Sequence, residues 1–490
     1  MIRSLREVFA KYPALWALLA LVIFPFPLRE GIKQDAAVYA SLARNAWESG
    51  VWWPLKLSPH LFPQFYEHPP GIPWAMIPFL SLPGPIEFTA SLFSRICTAL
   101  VFLLGISLVG RLRPSRDSGP RRETIALAFV FLLMTWGQFL KYSATAQLEG
   151  PTALVALAVV AILTLPNKRP GFELGLAFLV GSAAMLTKGI LFVPMIVGLL
   201  AWGLIFRQAS TFVRAFLIAM GFATAVGFLS WLDARSGTQF QAYYWQRLLA
   251  WGKGDEVGLV SRVLTYLGFE MRYAAAWTLP FFGLLAYRLK KNPRDFAPTK
   301  NSSLLLLVYF GLLAPIVFAQ MKLAHWTTPL SPLAALWLAT QLPDAWLIRF
   351  ERFVGDGKTL GMIVLAAATL LAIVPYPIHS RFGRGEHFIY HRDELKQKPQ
   401  PLRVVLDGLA EYSESAFAAL YLGYRYDVRY ENLESVSRSA CEPPSRLWIH
   451  PGLAAENGGT LARLGWRATS RQHEKIRLFE CRNIELPGNL

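Results

Sequence analysis

Long apolar runs separated by short polar punctuation recur along most of this chain. A helix needs about 20 mostly apolar residues to cross a bilayer. On that criterion the pattern places spans near 10–28, 89–110, 123–140, 151–166, 172–187, 189–206, 212–232, 273–289, 303–320, 327–343 and 359–378. This amounts to about eleven transmembrane helices. The linkers around 166–172 and 187–189 are so short that the adjacent spans could merge there.

Three stretches break the pattern. Residues 29–88 are too many for a simple connector. Within them, "AAVYASLARNAWE" (36–48) sets Val38, Leu42 and Ala46 near helical spacing, with Asp35 just before as an N-cap. This predicts an amphipathic helix lying along the membrane surface. Residues 72–82 read as a second interfacial segment, and 233–272 is similarly amphipathic and aromatic. Beyond 378 the periodicity changes altogether. Strand-like stretches at 402–408, 425–430, 445–450 and 475–482 alternate with helical ones at 412–423 and 453–465. That order predicts a small α/β domain. The expected division is a transmembrane domain over 1–378, with juxtamembrane helices in 29–88 and 233–272, and a soluble domain over 379–490. There is no internal repeat and no low-complexity segment.

Composition narrows the class. Hydrophobic residues make up 54% of the 490, charged residues 17%, and mean hydropathy is +0.35, too high for a soluble protein of this length. The start carries a basic region and then an apolar one, like a signal peptide. "REGIKQD" follows with no small-x-small cleavage site, so an uncleaved first helix is expected. The net charge of +17 would point to nucleic acid in a soluble chain. Here many cations crowd into short loops: five Arg against two acids in 110–123, and five cations against one acid in 288–300. Lys168 and Arg169 in 166–171 and the cations of 349–358 add to the bias. This is the positive-inside pattern, and no nucleic-acid partner is expected. It sets the N-terminus in the cytoplasm and 29–88, 138–150, 233–272, 320–326 and the tail outside. Of the three cysteines, Cys97 lies in an apolar run, and Cys441 and Cys481 could pair if the tail is extracytoplasmic.

The exterior segments share one chemical feature. Asp35 follows "GIKQ", Glu149 precedes "GPTAL", Lys188 sits in "MLTKGILF", and Lys322 and His325 sit in "AQMKLAHWTTPL". Taken singly, each has an ordinary reading as a helix cap, a solvated span end or a snorkelling anchor. Ionisable groups at membrane depth are nevertheless costly and generally face a cavity or partner. Acids and cations together on one face suit a site where a carboxylate works beside an anionic ligand. The elbow "QFYEHPPGIPW" (64–74) adds Glu67 and His68 on a rigid proline pair.

These motifs, in this order, resemble the membrane glycosyltransferases of the GT-C fold. The resemblance runs through Asp35–x₃–Tyr39, Glu67-His68-Pro69-Pro70, Trp74, "GPTAL", "LTKG" and "KLAHWTTPLSPLAAL" (322–336). It covers about residues 10–345 and is nearest to bacterial relatives of the protein O-mannosyltransferases and of the lipid A aminoarabinose transferase. It implies a helical polytopic membrane fold with a small extracytoplasmic α/β appendage. It also implies a polyprenyl (undecaprenyl) phosphate-linked sugar as donor. The acceptor would be an envelope lipid, glycan or protein at the outer face of the bacterial inner membrane, among membrane lipids, with the tail in the periplasm. By position, Asp35 would be the catalytic base and Glu149 a second acid. Lys188, Lys322 and His325 would hold the donor phosphate, and Tyr39, Glu67 and His68 would contact substrate. No cofactor is required by this reading, and a divalent metal at Glu67 is left open.

Three positions depart from the family pattern. Ala36 follows Asp35 where many relatives have Glu, His68 stands where aminoarabinose transferases have Lys, and 233–272 offers no His to share a metal with Glu67. The competing class is a secondary transporter or a lipid-linked sugar flippase. Transporters place ionisable groups in broken helices near the midplane and carry repeats, neither of which is seen here. A scaffold with the tail as its binding module would leave Lys188 and Lys322 without a role.

Overall fold

The computed structural model describes residues 2–354 and 402–481, apart from short stretches. Those of five residues or more are 20–33, 58–62, 114–121, 254–258, 292–300, 319–323, 406–410, 439–445 and 470–476. The expected span at 359–378 and most of that at 10–28 lie outside the described residues. The helices in chain order are α1 Ile2–Lys11, α2 Gln34–Ser49, α3 Gly71–Leu80, α4 Ile86–Leu112, α5 Arg122–Thr135, α6 Glu149–Leu163, α7 Pro170–Lys188, α8 Val193–Ile205, α9 Ala209–Ser236, α10 Phe240–Lys253, α11 Leu259–Lys291, α12 Asn301–Phe318, α13 Ser331–Gln341 and α14 Asp344–Val354. Helices α15 Glu411–Leu422, α16 Leu433–Arg438 and α17 Pro451–Arg463 follow, among five strands. The chain forms two compact units. The first comprises Met1–Arg29, Tyr66–Ala75 and Ser91–Ser380, and the second Glu30–Phe65, Met76–Ala90 and Arg381–Leu490.

Among the described residues of the chain, four helical stretches are long and apolar enough to cross a bilayer: Ile86–Leu112, Pro170–Ile205, Ala209–Ser236 and Asn301–Phe318. Large apolar side chains on them, including Leu179, Val197, Ile205, Phe216 and Trp231, are exposed. Such a surface suits lipid and not water. A backbone paired within its own helix is what a hydrocarbon environment demands. This is a membrane protein.

The stretch Pro170–Ile205 is two helices. A 3₁₀ turn, Gly189–Phe192, separates α7 from α8, and Gly189 adopts a φ of +35° that favours glycine. The helix registers show the reversal. Glu173 pairs with Arg214 and Ser182 with Gly221, so α7 and α9 run parallel. The α8–α9 connection closes sharply, Gln208 N donating to Gly203 O at 2.9 Å, and α8 therefore runs against both. The break expected at 187–189 is present.

Small residues let α7 and α9 approach closely. A Cβ on Gly181 would collide with the Ile218 carbonyl oxygen, and one on Gly221 with that of Phe178. Ser182 Oγ donates across the contact to Gly221 O at 3.0 Å. Close backbone approach and interhelical hydrogen bonds replace the hydrophobic drive that lipid removes. The α6–α7 hairpin is tied at its loop end by charge. Arg214 Nη2 lies 2.6 Å from Glu173 Oε2, and its Nη1 donates to Leu163 O at 3.2 Å, satisfying a carbonyl in the last turn of α6.

In the second unit, α2 packs against α15 of the tail. Val38, Leu42 and Ala46, the stripe expected to lie along the membrane surface, are at most 2% exposed. The spacing dictated which face is apolar, and protein covers it where lipid was expected. The five strands form one sheet in the order β2-β1-β3-β5-β4, with β1 Leu402–Val405, β2 Val428–Glu431, β3 Arg446–Ile449, β4 Trp466–Ala468 and β5 Arg477–Cys481. β1 pairs parallel with β2 and β3, and β5 pairs antiparallel with β3 and β4. Leu447, Ile449, Leu461, Trp466 and Phe479 build its core. Four of the strands fall where alternation predicts them. β4 and α16 go unpredicted, at three and six residues, because neither is long enough to display a period. Cys481 is held in a disulfide and Cys97 is a free buried thiol, while Cys441 lies outside the described residues.

Gly221→Val is expected to destabilise the protein by about 1–3 kcal/mol through overpacking. Gly227→Ala on the same helix, with nothing within 4 Å of its Cβ, serves as the control. Thermal unfolding in detergent measures both; equal midpoints would show that the α7–α9 crossing is not close.

Candidate functional site

Glu149 opens α6, and Lys188 closes α7. The antiparallel hairpin brings these two helix ends together, with Lys188 Nζ 2.9 Å from Glu149 Oε1. Their side chains are only 13% and 4% exposed. Each charge complements its own helix terminus, a carboxylate at an N-terminus and an ammonium at a C-terminus. That does not offset the cost of burying two ions, so such a pair is weak evidence for a purely stabilising role.

The surroundings hold this pair rigidly. Thr98 Oγ1 donates to Ser143 O at 2.8 Å, and Ser94 Oγ donates to Gln147 O at 3.0 Å. Two hydroxyls of α4 thus fix the segment that delivers Glu149. From another side, the proline elbow seats itself on the last turn of α7. Gly71 lies so near the Leu186 carbonyl that any Cβ there would collide with it. Glu67 and His68 stand in this elbow, half-buried, in the same unit as Glu149 and Lys188.

A third wall comes from α10. Asp233 at the end of α9 caps it. Its Oδ1 accepts from the Thr238 hydroxyl at 2.6 Å and Phe240 N at 3.2 Å, and its Oδ2 from Gln241 N at 2.8 Å. Tyr244 of α10 accepts a hydrogen bond from Ile190 N at 3.2 Å, two residues beyond Lys188. Burial pushes the Tyr244 hydroxyl up to about 12, so it remains a neutral group. Tyr66, within the elbow, lies with its ring centroid 5.8 Å from that of Tyr243 and 6.1 Å from that of Phe240.

Of the residues singled out in the sequence, the structure joins Glu149 to Lys188 directly. Asp35 and Tyr39 belong to the second unit, where Asp35 is half-buried in the first turn of α2 and Tyr39 is 7% exposed. His325 lies in the 3₁₀ segment Ala324–Leu330, which packs against α6, and its side chain is outside the described set. Lys322 lies outside the described residues. Among the described residues no three His, Cys, Asp or Glu side chains cluster as a metal would require, so no metal ligand set is assigned. Sequence reasoning missed Asp233 and Tyr244. Asp233 stands seven residues before the helix it caps, so no capping template matches, and Tyr244 is one aromatic among several in "QAYYWQR".

Lys188→Met removes the ammonium from beside a buried carboxylate and is expected to cost about 3–5 kcal/mol. The double variant Glu149→Met/Lys188→Met should recover most of that loss. Denaturant unfolding of both single variants and the double variant measures the coupling. Simple additivity would mean that the two groups are not energetically paired.

No family model and no curated protein matches this chain. Solved structures do. The chain superposes on ArnT from Cupriavidus metallidurans bound to undecaprenyl phosphate with a TM-score of 0.70 and 14% identity, over 95% of this chain and 97% of that one. Against the apo state of the same protein the TM-score is 0.67 at 15% identity, over 95% and 96%. An oligosaccharyltransferase from Archaeoglobus fulgidus superposes more loosely, with a TM-score of 0.46 and 12% identity over 100% of this chain and 75% of that one. The expected resemblance to the GT-C fold is therefore found at the level of structure: the chain has that fold.

Proposed function

We propose that this protein transfers a sugar from a polyprenyl-phosphate donor to an envelope lipid, glycan or protein at the outer face of the bacterial inner membrane. One observation carries the reading: a nearly buried acid–cation pair at a hairpin mouth, in a chain that superposes on a protein solved with undecaprenyl phosphate bound. The orientation follows the cationic loops, with the N-terminus in the cytoplasm and 379–490 in the periplasm. The disulfide at Cys481 supports an oxidising compartment for the tail.

The reaction is a single displacement. The acceptor oxygen forms a bond to the anomeric carbon as the bond from that carbon to the phosphate oxygen breaks, and the configuration inverts. Asp35 takes the acceptor proton. The departing polyprenyl phosphate gains negative charge, and Lys188, with Lys322 and His325, stabilises it where it develops. Lys188 already has a carboxylate partner. Glu149 holds the ammonium in place and keeps its charge balanced until the phosphate arrives, which makes Glu149 the second acid of the site. Tyr39, Glu67 and His68 contact the substrates.

Binding is tested with undecaprenyl phosphate and the purified protein in nanodiscs. The wild type should bind it, Lys188→Met should weaken binding by roughly tenfold or more, and Asp35→Asn should bind as the wild type does. Binding no tighter than that of uncharged undecaprenol would overturn the phosphate assignment.

A further inference from the structure

The helix that carries Asp35 is held by the tail through two polar side chains that the reaction scheme does not use. Ser41 is fully buried in α2. Its hydroxyl reaches two carbonyls, Ala37 O one turn back at 2.6 Å and Ala416 O of α15 at 2.8 Å. A serine can touch the main chain of a neighbouring helix only where the two axes come close. The sequences "AAVYASLA" and "SAFAALYL" supply the small residues for that: Ala36, Ala37, Ala40, Ala416 and Ala419 are all buried.

Arg44, three residues further along the same helix, donates through Nη1 to Leu420 O. Leu420 lies in the last turn of α15, where helix carbonyls have no partner within the helix. A guanidinium there satisfies the carbonyl and complements the negative end of the helix dipole. Glu48 Oε1, 2.5 Å from Arg44 Nε, keeps the guanidinium aimed. Asn45, one turn beyond Ser41, adds a third tie, its Nδ2 donating to Lys56 O at 2.8 Å. Helices in proteins draw most of their stability from tertiary packing, so these external contacts hold the 16-residue α2 in place.

We propose that α15 of the C-terminal tail is a clamp on α2, and that Ser41 and Arg44 are positioning residues for Asp35. The proposal rests on the reading of Asp35 as the base. Asp35 lies six residues before Ser41, about 9 Å along the helix axis. A helix transmits a shift or twist along its length as a rigid rod. Loosening α2 at Ser41 and Arg44 therefore displaces the carboxylate relative to the acceptor hydroxyl. A misplacement of about 1 Å costs on the order of 10²-fold in rate. Neither side chain belongs to the phosphate-binding set, so donor affinity should be untouched. The tail would then take a direct part in turnover.

The test uses the full-length protein in nanodiscs. The probe donor is the undecaprenyl-phosphate-linked sugar fraction extracted from cells lacking the gene, with membranes of those cells as acceptor. Release of undecaprenyl phosphate is followed. Ser41→Ala and Arg44→Met should lower the maximal rate roughly 10- to 100-fold while leaving the half-saturating donor concentration unchanged. Ser41→Thr and Arg44→Lys should restore much of the rate. If Ser41→Ala fails to fold, the Arg44 pair decides alone, because Arg44→Met keeps the aliphatic stem and removes every donor. Wild-type maximal rates in the loosened variants, with Asp35→Asn inactive, would overturn the clamp and leave the base intact. A rise in half-saturating donor at unchanged maximal rate would overturn it too. An active Asp35→Asn would overturn the base assignment and the clamp together.

Discussion

Two opposite charges, Glu149 and Lys188, meet 2.9 Å apart at the mouth of a helical hairpin, almost out of reach of water. Burying them is expensive, and a well-packed apolar pair would fill the space at lower cost. The surrounding structure is organised to keep them there. Hydroxyls from α4 fix the approach to Glu149, the proline elbow braces the turn before Lys188, and Asp233 holds α10 against the turn after it. The second buried pair, Glu173 with Arg214, ties the opposite end of the same hairpin. The hairpin is thus pinned at both ends, and the Glu149–Lys188 pin is the one that belongs to the proposed site.

Much of this was legible in the sequence, because the membrane imposes a coarse and demanding pattern. Apolar runs marked the helices, and the break near 187–189 was visible as a lysine and a glycine between two such runs. Strands of four or five residues in the tail showed themselves by alternation. Pairing was harder to foresee. Glu149 and Lys188 stood out as ionisable residues near span ends, yet their mutual contact depends on how α6 and α7 meet, and no local pattern records that. Asp233 and Tyr244 act across turns, and short-range templates do not reach so far.

The surface helix is the instructive difference. Val38, Leu42 and Ala46 form a real stripe, and the stripe is buried. Periodicity identifies a face that must be covered but is silent about the cover. A lipid surface tolerates any apolar residue, whereas a neighbouring helix asks for small ones. The alanines of α2 and their counterparts in α15 carried that information, along with a serine and an arginine that have main-chain carbonyls to reach. The tail is therefore joined to the segment bearing Asp35 by specific hydrogen bonds as well as by apolar contact.

Sugar transfer from a polyprenyl phosphate is the claim on which the roles of these residues rest. It is tested most directly by lipid mass spectrometry of cells with and without the gene. Loss of the gene should leave one undecaprenyl-phosphate-linked sugar in excess and remove the same sugar from an envelope lipid, glycan or protein. Identical undecaprenyl-phosphate-sugar pools and identical envelope glycosylation in the two strains would contradict the account.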